Sequence, residues 1–414
     1  MLIPDQYSID LINKIKLKEN SYKLSTTIPD LMVDVNFGLT DNGNYEMSFD
    51  VLPEHQSKGL NSDYFFTRPC LLFAPGQKIF LQNTDIIRLS TNFASPSFKI
   101  KAEFKAFRGD IDDSMWKQSK QSAYIPFNSN LFEPSRLGVK FNLTTKKERG
   151  DRGFYNAIKL HIDNIDLLFY YERVGNDNGY YIIRHDGLID YQNFRNIVDA
   201  IMIAFGVLSG YYMADSAYFM SIKSNNASDV TYRYENFNQA ENFNSPIIPS
   251  LHYENISEDR LNLTPEQFNE FVQLLHKNED YKRAATLLIS AGKEKGCSKA
   301  TLGAVALETI TNEICKSITN KTIVDKKETI KAIKFRLINT LKEFKDVLSD
   351  CQFKGLKNKI NLMNTIPNAD KYIDAFRIVG IELEDEELYC LKCRNMFLHG
   401  KLPKREQDKM LSDD

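Results

Sequence analysis

The residues best suited to chemistry lie close together near the C-terminus: Arg394, Asn395 and His399. An arginine can bind a phosphate through two hydrogen bonds and neutralise charge that builds up on it. A histidine can donate a proton to a leaving oxygen or accept one as a base. No other histidine of the chain has an arginine five positions upstream. The pattern therefore predicts a cationic, hydrogen-bonding site that suits a phosphodiester.

A helix should position these side chains. Residues Glu384–Leu398 contain no glycine or proline, begin with four acidic residues and are followed by Gly400, which is how a helix complements its dipole and ends. On such a helix Asn395 and His399 share a face, and the long side chain of Arg394 reaches the same point from about 100° to the side. The helix C-terminus favours a protonated His399. The alternative is that Arg394 pairs with an acid on a neighbouring helix and His399 only caps its own.

The pattern Arg394-Asn395 with His399 and Gly400, on the last helix of a helical domain, resembles the HEPN superfamily (higher eukaryotes and prokaryotes nucleotide-binding). It is most similar to the Apea-like HEPN branch, found in anti-phage proteins with a β-rich N-terminal half. The helical context extends over about residues 262–405, and the N-terminal half matches only in general layout. The resemblance implies a metal-independent endoribonuclease that needs no cofactor. Two protomers would each contribute an Arg and a His to a shared cleft, where the 2′-hydroxyl of RNA attacks its own phosphate and leaves a cyclic phosphate.

On this interpretation His399 is the acid/base group, Arg394 binds the phosphate and Asn395 positions the substrate or the histidine. RNA is the substrate, a homodimer is the active form, and the β-rich half senses a phage-derived trigger or restrains the nuclease. Some HEPN proteins only bind RNA or nucleotides, so a binding module without chemistry is the second hypothesis. A third makes the β-rich half a carbohydrate- or protein-binding sandwich and the bundle its dimerisation device.

Composition sets outer limits on function. The 414 residues are 42% hydrophobic, enough for two domains, and the net charge of −2 argues against a general polyanion binder. Between Lys326 and Lys359, however, the sequence contains ten basic residues and only four acidic ones. This excess is typical of a helix that follows a phosphate backbone, or of a solvated helical face. Six cysteines without a disulfide pattern or a signal peptide indicate the cytoplasm. The longest apolar run, Ile197–Leu208, is interrupted by Asp199 and predicts a buried helix rather than a membrane span.

The predicted fold class is α+β, with a β-rich N-terminal sandwich or rolled sheet followed by a C-terminal all-α, HEPN-like bundle. The predicted domains are residues 1–240 and 263–414, joined by a polar linker at 241–262. Alternating apolar residues and turn signals predict strands at 31–39, 45–52, 97–107, 137–143, 157–162, 165–173, 180–184, 218–222 and 230–234, with a helix at 191–212. Three further helix starts are predicted: one at Thr264, where a capping box precedes Pro265, one at Asp325 and one at Asn368. Another helix is predicted at 298–318.

Several other residues are candidates for a functional role. Glu308 and Glu313 could orient Arg394 or His399, although both are more typical of a polar helix face. The remaining candidates favour structural interpretations. A solvated loop is expected at Asp110, Asp112 and Asp113, and an aromatic core around Trp116, Tyr211 and Tyr212. Helix packing is expected for Cys390 and Cys393, and Arg195-Asn196 repeats the start of the motif without a histidine.

Overall fold

The computed structural model describes most of the chain in two compact units, Met1–Asn278 and Glu279–Asp414. The described residues are 5–16, 21–25, 32–40, 43–58, 60, 68–74, 77–94, 97–109, 114–128, 157–174, 178–209, 216–223, 230–237, 264–292, 294–316, 323–324, 326–364 and 368–398. The helix at Pro265–Lys277 belongs with the first unit, although the boundary predicted from the sequence places it in the helical domain.

Strands in the described part of the first unit form one antiparallel sheet of fourteen strands. Its order is β10-β11-β12-β9-β13-β14-β8-β5-β4-β1-β2-β3-β7-β6. The strands are β1 Ser21–Ser25, β2 Met32–Leu39, β3 Tyr45–Val51, β4 Cys70–Ala74, β5 Gln77–Leu81, β6 Ile86–Ala94, β7 Ser97–Phe104, β8 Ala106–Arg108, β9 Ser119–Asn128, β10 Ala157–Ile162, β11 Ile165–Arg173, β12 Asn178–Ile189, β13 Ser216–Ile222 and β14 Val230–Asn236.

The sheet is rolled, because β7 and β8 are joined by the single residue Lys105 although five strands separate them in the sheet order. The Cα atoms of Phe104 and Ala106 can be at most about 7 Å apart, so the sheet must curl until the end of β7 meets the start of β8. Hydrogen bonds fix this corner, since the backbone carbonyl of Lys105 accepts from the N–H of Asn236 at 2.6 Å and its N–H donates to Asp85. Of the two architectures expected, the rolled sheet is the one that the described strands form.

Five described α-helices and one 3₁₀ helix, Asn83–Asp85, accompany the sheet. The α-helices are α1 Asp5–Lys16, α2 Pro53–Ser57, α3 Ser114–Lys117, α4 Tyr191–Ser209 and α5 Pro265–Lys277. The apolar face of α1, formed by Ile9, Ile12 and Ile15, is fully buried in one core with side chains from both halves of the sheet. The opposite face of this part of the sheet is covered by α4, where Phe194 packs edge-on against Phe219 of β13 and Phe205 packs edge-on against Phe169 of β11. Strand β13 is therefore buried on both faces, whereas β2 shows the alternation of a strand with one solvated face.

The regular elements in the described part of the second unit are all helices. They form α6 Glu279–Ala291, α7 Gly296–Lys316, α8 Lys327–Glu343, α9 Asp350–Leu362, α10 Asn368–Ile378 and α11 Asp385–Leu398. Helix α7 packs against α6, α10 and α11, while α8 and α9 pack mainly against each other as a helical hairpin. Buried Ala306, Tyr372, Ala375 and Leu391 mark the contact of α7 with α10 and α11.

The α+β class is confirmed at this level, with a large antiparallel sheet in the first part and helices in the second. The predicted strand at 137–143 and linker at 241–262 lie outside the described residues. Within the described ranges, none of the helices combines the length and the apolar composition that a membrane span requires.

Candidate functional site

Helix α11 positions the first two residues of the predicted site. Its N-terminus forms as the sequence predicts: Asp385, Glu386 and Glu387 occupy the first turn, and the Glu387 carboxylate accepts the backbone N–H of Glu384 at 2.8 Å. Leu391 is buried and anchors the helix against α7. The N-terminal half of the predicted helix is thus stabilised by its own acidic residues and its middle by packing.

Arg394 and Asn395 lie on the last two turns of α11, one residue and about 100° apart on the helix. Their description extends to the backbone alone, and His399 and Gly400 lie outside the described residues. The sequence also predicted basic residues in the last turn of this helix. The acidic first turn is confirmed, but the last described turn, Asn395–Leu398, contains no basic residue. The mutual geometry of the Arg394, Asn395 and His399 side chains stays a prediction.

Helix α7, against which α11 packs, contains Glu308 and Glu313, the two candidate orienting groups. The Glu313 side chain is only 9% exposed and forms an ion pair with Lys316 one turn along the helix. Lys316 also contacts the Asp280 carboxylate on α6 at 3.3 Å, and hydrogen bonds to Glu313 and Asp280 raise the pKa of Lys316. These contacts give Glu313 a structural role between α6 and α7. A role for Glu308 or Glu313 at Arg394 remains a prediction.

The basic residues expected to follow a phosphate backbone lie on the α8–α9 hairpin, residues 326–364. The hairpin contains ten basic and four acidic residues, and all ten basic residues belong to the described part of the chain. Helix α9 has no buried residue, and α8 has two, Ile330 and Leu341. The hairpin therefore presents a large, positively charged helical surface.

The first unit contains a buried charge cluster that the sequence did not reveal. The Glu235 carboxylate on β14 accepts hydrogen bonds from the Tyr191 hydroxyl at 2.6 Å and from the Arg195 guanidinium at 2.5 Å, and it pairs with Arg233 at 2.9 Å. Arg233 also lies over the Tyr191 ring. Burial raises the pKa of nearby Asp85, against the opposing influence of Arg233. Arg195, which repeats the start of the motif, is thus explained by this cluster and links α4 to the sheet.

A second missed cluster surrounds Asp5 at the start of α1. Its buried carboxylate accepts hydrogen bonds from Tyr124 at 3.1 Å and Tyr170 at 2.8 Å, and Arg184 lies 3.7 Å away. About three turns of helix place Lys16 at the other end of α1, where it donates to the Tyr180 hydroxyl at 3.0 Å. Burial lowers the pKa of Lys16 to about 8. Both ends of α1 are therefore held to the rolled sheet by polar contacts.

An open polar groove lies where α5 meets the β10–β11 turn. Asp163 and Asn164 both adopt positive φ, as a tight hairpin turn requires. The Asp163 carboxylate accepts from Gln273 at 2.7 Å, and Lys277 lies 3.2 Å away. The Gln273 hydrogen bond and then Lys277 lower the pKa of Asp163. These contacts fasten α5 to the edge of the sheet, which explains why α5 belongs with the first unit.

Other candidates resolve simply. Trp116 is buried and packs edge-on against Tyr191, which confirms it as a core residue. The candidates Asp110, Asp112, Asp113, Tyr211 and Tyr212 lie outside the described residues. Cys393 is a half-buried free thiol on α11.

Comparison with known proteins adds no relative: no family model matches the chain, and neither the curated proteins nor the solved structures contain a match.

Proposed function

We propose that the chain is a metal-independent endoribonuclease of antiviral, abortive-infection defence, with a HEPN-like helical bundle as its nuclease. The observation that supports this function is the placement of Arg394 and Asn395 on the last two turns of α11, with His399 directly after that helix in the sequence. An arginine, an amide and a histidine within six residues are the groups that cleavage of a phosphodiester needs.

In the proposed reaction the 2′-oxygen of the substrate attacks the adjacent phosphorus, and the bond to the 5′-oxygen of the next nucleotide breaks. One histidine accepts the proton of the 2′-hydroxyl, and the second donates a proton to the departing 5′-oxygen. The products are a 2′,3′-cyclic phosphate and a 5′-hydroxyl. Arg394 neutralises the charge on the phosphate oxygens as the transition state forms. Because two histidines are used, the active form is a homodimer with a shared cleft.

The first unit would regulate the nuclease. An enzyme that cuts host RNA must be held inactive until infection. The first unit is compact and separate from the helical unit, so it is suited to sensing a phage-derived trigger. The α8–α9 hairpin supplies positive charge that would attract the RNA backbone.

Purified full-length protein incubated with end-labelled RNA in excess EDTA tests the assignment. Wild type is expected to produce fragments with cyclic-phosphate ends, whereas Arg394→Ala and His399→Ala are expected to leave the RNA intact. Arg377→Ala, an exposed arginine on α10 paired with Asp374, is the matched control and should cleave normally. Cleavage by His399→Ala at the wild-type rate would contradict the catalytic role.

The second candidate is a module that binds RNA or a nucleotide without cleaving it, and the basic surface of the α8–α9 hairpin favours it. It predicts RNA affinity that is equal in wild type and His399→Ala, no cleavage by either, and no toxicity on overexpression.

A further inference from the structure

The α8–α9 hairpin contains an open apolar groove that the proposed nuclease does not use. One wall is formed by Leu337, Leu341 and Phe344 of α8 and its C-terminal cap, and the other by Leu356, Ile360 and Met363 of α9 and its cap. The three residues of each wall are spaced at i, i+4 and i+7, so their apolar side chains line up along two turns of each helix. The groove has a volume of about 430 Å³, and Thr340 and Lys359 complete its lining.

The walls of this groove are unusually exposed for large apolar side chains. Leu337 is 40% exposed, Phe344 53% and Leu356 41%. Soluble proteins rarely leave a contiguous apolar surface of this kind in water, and such surfaces mark interaction sites. The hairpin itself is tied at its open end, since the side chain of Asn364 accepts the N–H of Val324 at 2.8 Å and donates to the Val324 carbonyl. The groove is therefore a preformed feature of the hairpin.

Charge indicates what the groove binds. The ten basic and four acidic residues between Lys326 and Asn364 give the hairpin a net charge of +6, and Lys359 stands within the groove lining. A second copy of the hairpin would bring two such charges together, and like charges across an interface oppose association. RNA would match the charge but not the apolar walls, because a phosphate backbone gains nothing from leucine and phenylalanine.

From these observations we infer that the groove docks an acidic amphipathic helix of a partner protein. The partner helix places three apolar residues at i, i+3 or i+4 and i+7 between the two walls, in the helix-in-groove mode, and completes a three-helix bundle. Its acidic flanks face the lysines of α8 and α9. This surface is separate from Arg394 and His399 in sequence, and the proposed nuclease does not use its apolar walls. Because its lysines are also those proposed to attract RNA, substitutions in the apolar walls test the docking site separately from the nuclease function.

A fluorescein-labelled synthetic peptide of about four helical turns, with leucines on one face and glutamates elsewhere, is the probe. Fluorescence anisotropy with the full-length protein measures its affinity. Two comparison peptides separate the causes: one has the same composition with the leucines distributed around the helix, and one has lysine for every glutamate. The acidic amphipathic peptide is expected to bind at least about tenfold more tightly than either, with an affinity that falls as salt rises.

The chain offers a matched control for the groove. Leu337→Ser and Leu356→Ser remove exposed side chains from opposite walls and should each weaken binding about tenfold. Phe335→Ser removes a 66% exposed aromatic residue from the same helix, about 200° around from Leu337, and should leave binding unchanged. Because all three residues are exposed, the variants should fold as wild type does, which circular dichroism checks.

Four results would overturn the inference. They are equal binding of the acidic and basic peptides, no saturable binding of the acidic peptide, loss of binding in Phe335→Ser alone, and a concentration-dependent dimer that Leu337→Ser and Leu356→Ser abolish. The last result would show that a second copy covers the groove.

Discussion

The hydroxyl groups of Tyr45 on β3 and Tyr218 on β13 lie 2.7 Å apart in the core, although six strands separate the two residues in the sheet order. The contact is possible because the sheet rolls over until its distant parts meet. Tyr234 on β14 packs against both rings, at 4.7 and 5.0 Å between ring centroids. Burial raises the pKa of Tyr45 and of Tyr218, so both are neutral at physiological pH.

The first prediction concerns this pair. Tyr45→Phe and Tyr218→Phe should each lower the free energy of unfolding by about 1 kcal/mol, because each leaves a buried hydroxyl without its partner. The double variant should cost less than the sum of the single ones, with a coupling of about 1 kcal/mol. Urea unfolding followed by fluorescence measures this, since Trp116 is the only tryptophan of the chain and is buried in the first unit. Strict additivity would contradict the hydrogen bond.

Asp5 provides the second prediction. Asp5→Asn should destabilise the first unit by about 3 kcal/mol, because it removes the charge opposite the nearly buried Arg184 and weakens the acceptor of Tyr124 and Tyr170. Asp10→Asn, an exposed site on the same helix, should change stability by less than about 0.5 kcal/mol. The same Trp116 unfolding curve distinguishes them, and equal effects of the two changes would show that the Asp5 cluster contributes little.

Lys16 gives a pH dependence. Its folded-state pKa of about 8 lies below the ordinary 10.5 because burial opposes the charged form, so the unfolded chain binds the proton more tightly. The resulting penalty is complete below pH 8 and is relieved as the pH rises from 8 towards 10.5. Lys16→Met should therefore stabilise the protein by about 2 kcal/mol at pH 7 and by progressively less above pH 8.

Unfolding curves at pH 7, 8 and 9.5 test the pH dependence of Lys16→Met. Lys14→Met, at an exposed position of α1, is the control and should show no such trend. A gain from Lys16→Met that stays constant over the whole pH range would contradict the lowered pKa.

The shared cleft predicts that activity depends on protein concentration. Specific cleavage activity should rise as the protein is concentrated through its dimerisation range, and sedimentation should place the dimer in the same range. His399→Ala should dimerise as wild type does, because it is altered in chemistry and not in assembly. A protein that is fully active as a strict monomer would contradict the shared cleft while leaving the role of His399 to be judged separately.

Local signals in the sequence predicted local structure well. The capping box at Thr264 and Pro265 is confirmed, with the Thr264 side chain accepting from the N–H of Gln267. The strands predicted at 31–39 and 45–52 are present as β2 and β3, which pair as an antiparallel hairpin around Gly43. These features depend on residues close in the chain, where side-chain chemistry and turn conformation decide the outcome.

Features that depend on contacts between distant residues could not be predicted from local sequence patterns. Helix α1 was not predicted, because its stability comes from insertion into the rolled sheet and from contacts such as Asp5 with Tyr170, 165 positions apart. The strand predicted at 97–107 breaks at Lys105 into β7 and β8, since that residue forms the corner where the roll closes. The Glu235 cluster was missed for the same reason: Tyr191, Arg195 and Arg233 meet only once β14 and α4 are in place.

At the candidate site, the helix could be predicted from local sequence, whereas the shared cleft could not. Four acidic residues, the absence of glycine and proline, and Gly400 predicted a helix at 384–398, and α11 runs from Asp385 to Leu398 with Arg394 and Asn395 on its last two turns. The function of those residues rests on their chemistry and on a resemblance, because a shared cleft depends on a second protomer that no local pattern specifies.

The most direct test of the proposed nuclease is expression in bacteria of wild type, Arg394→Ala, His399→Ala and the control Arg377→Ala, with total RNA examined on a gel before and after phage infection. Fragmented RNA in the wild-type and Arg377→Ala lanes, with intact RNA in the other two, is the predicted result. Intact RNA in every lane under both conditions, or fragmentation that survives His399→Ala, would contradict the account.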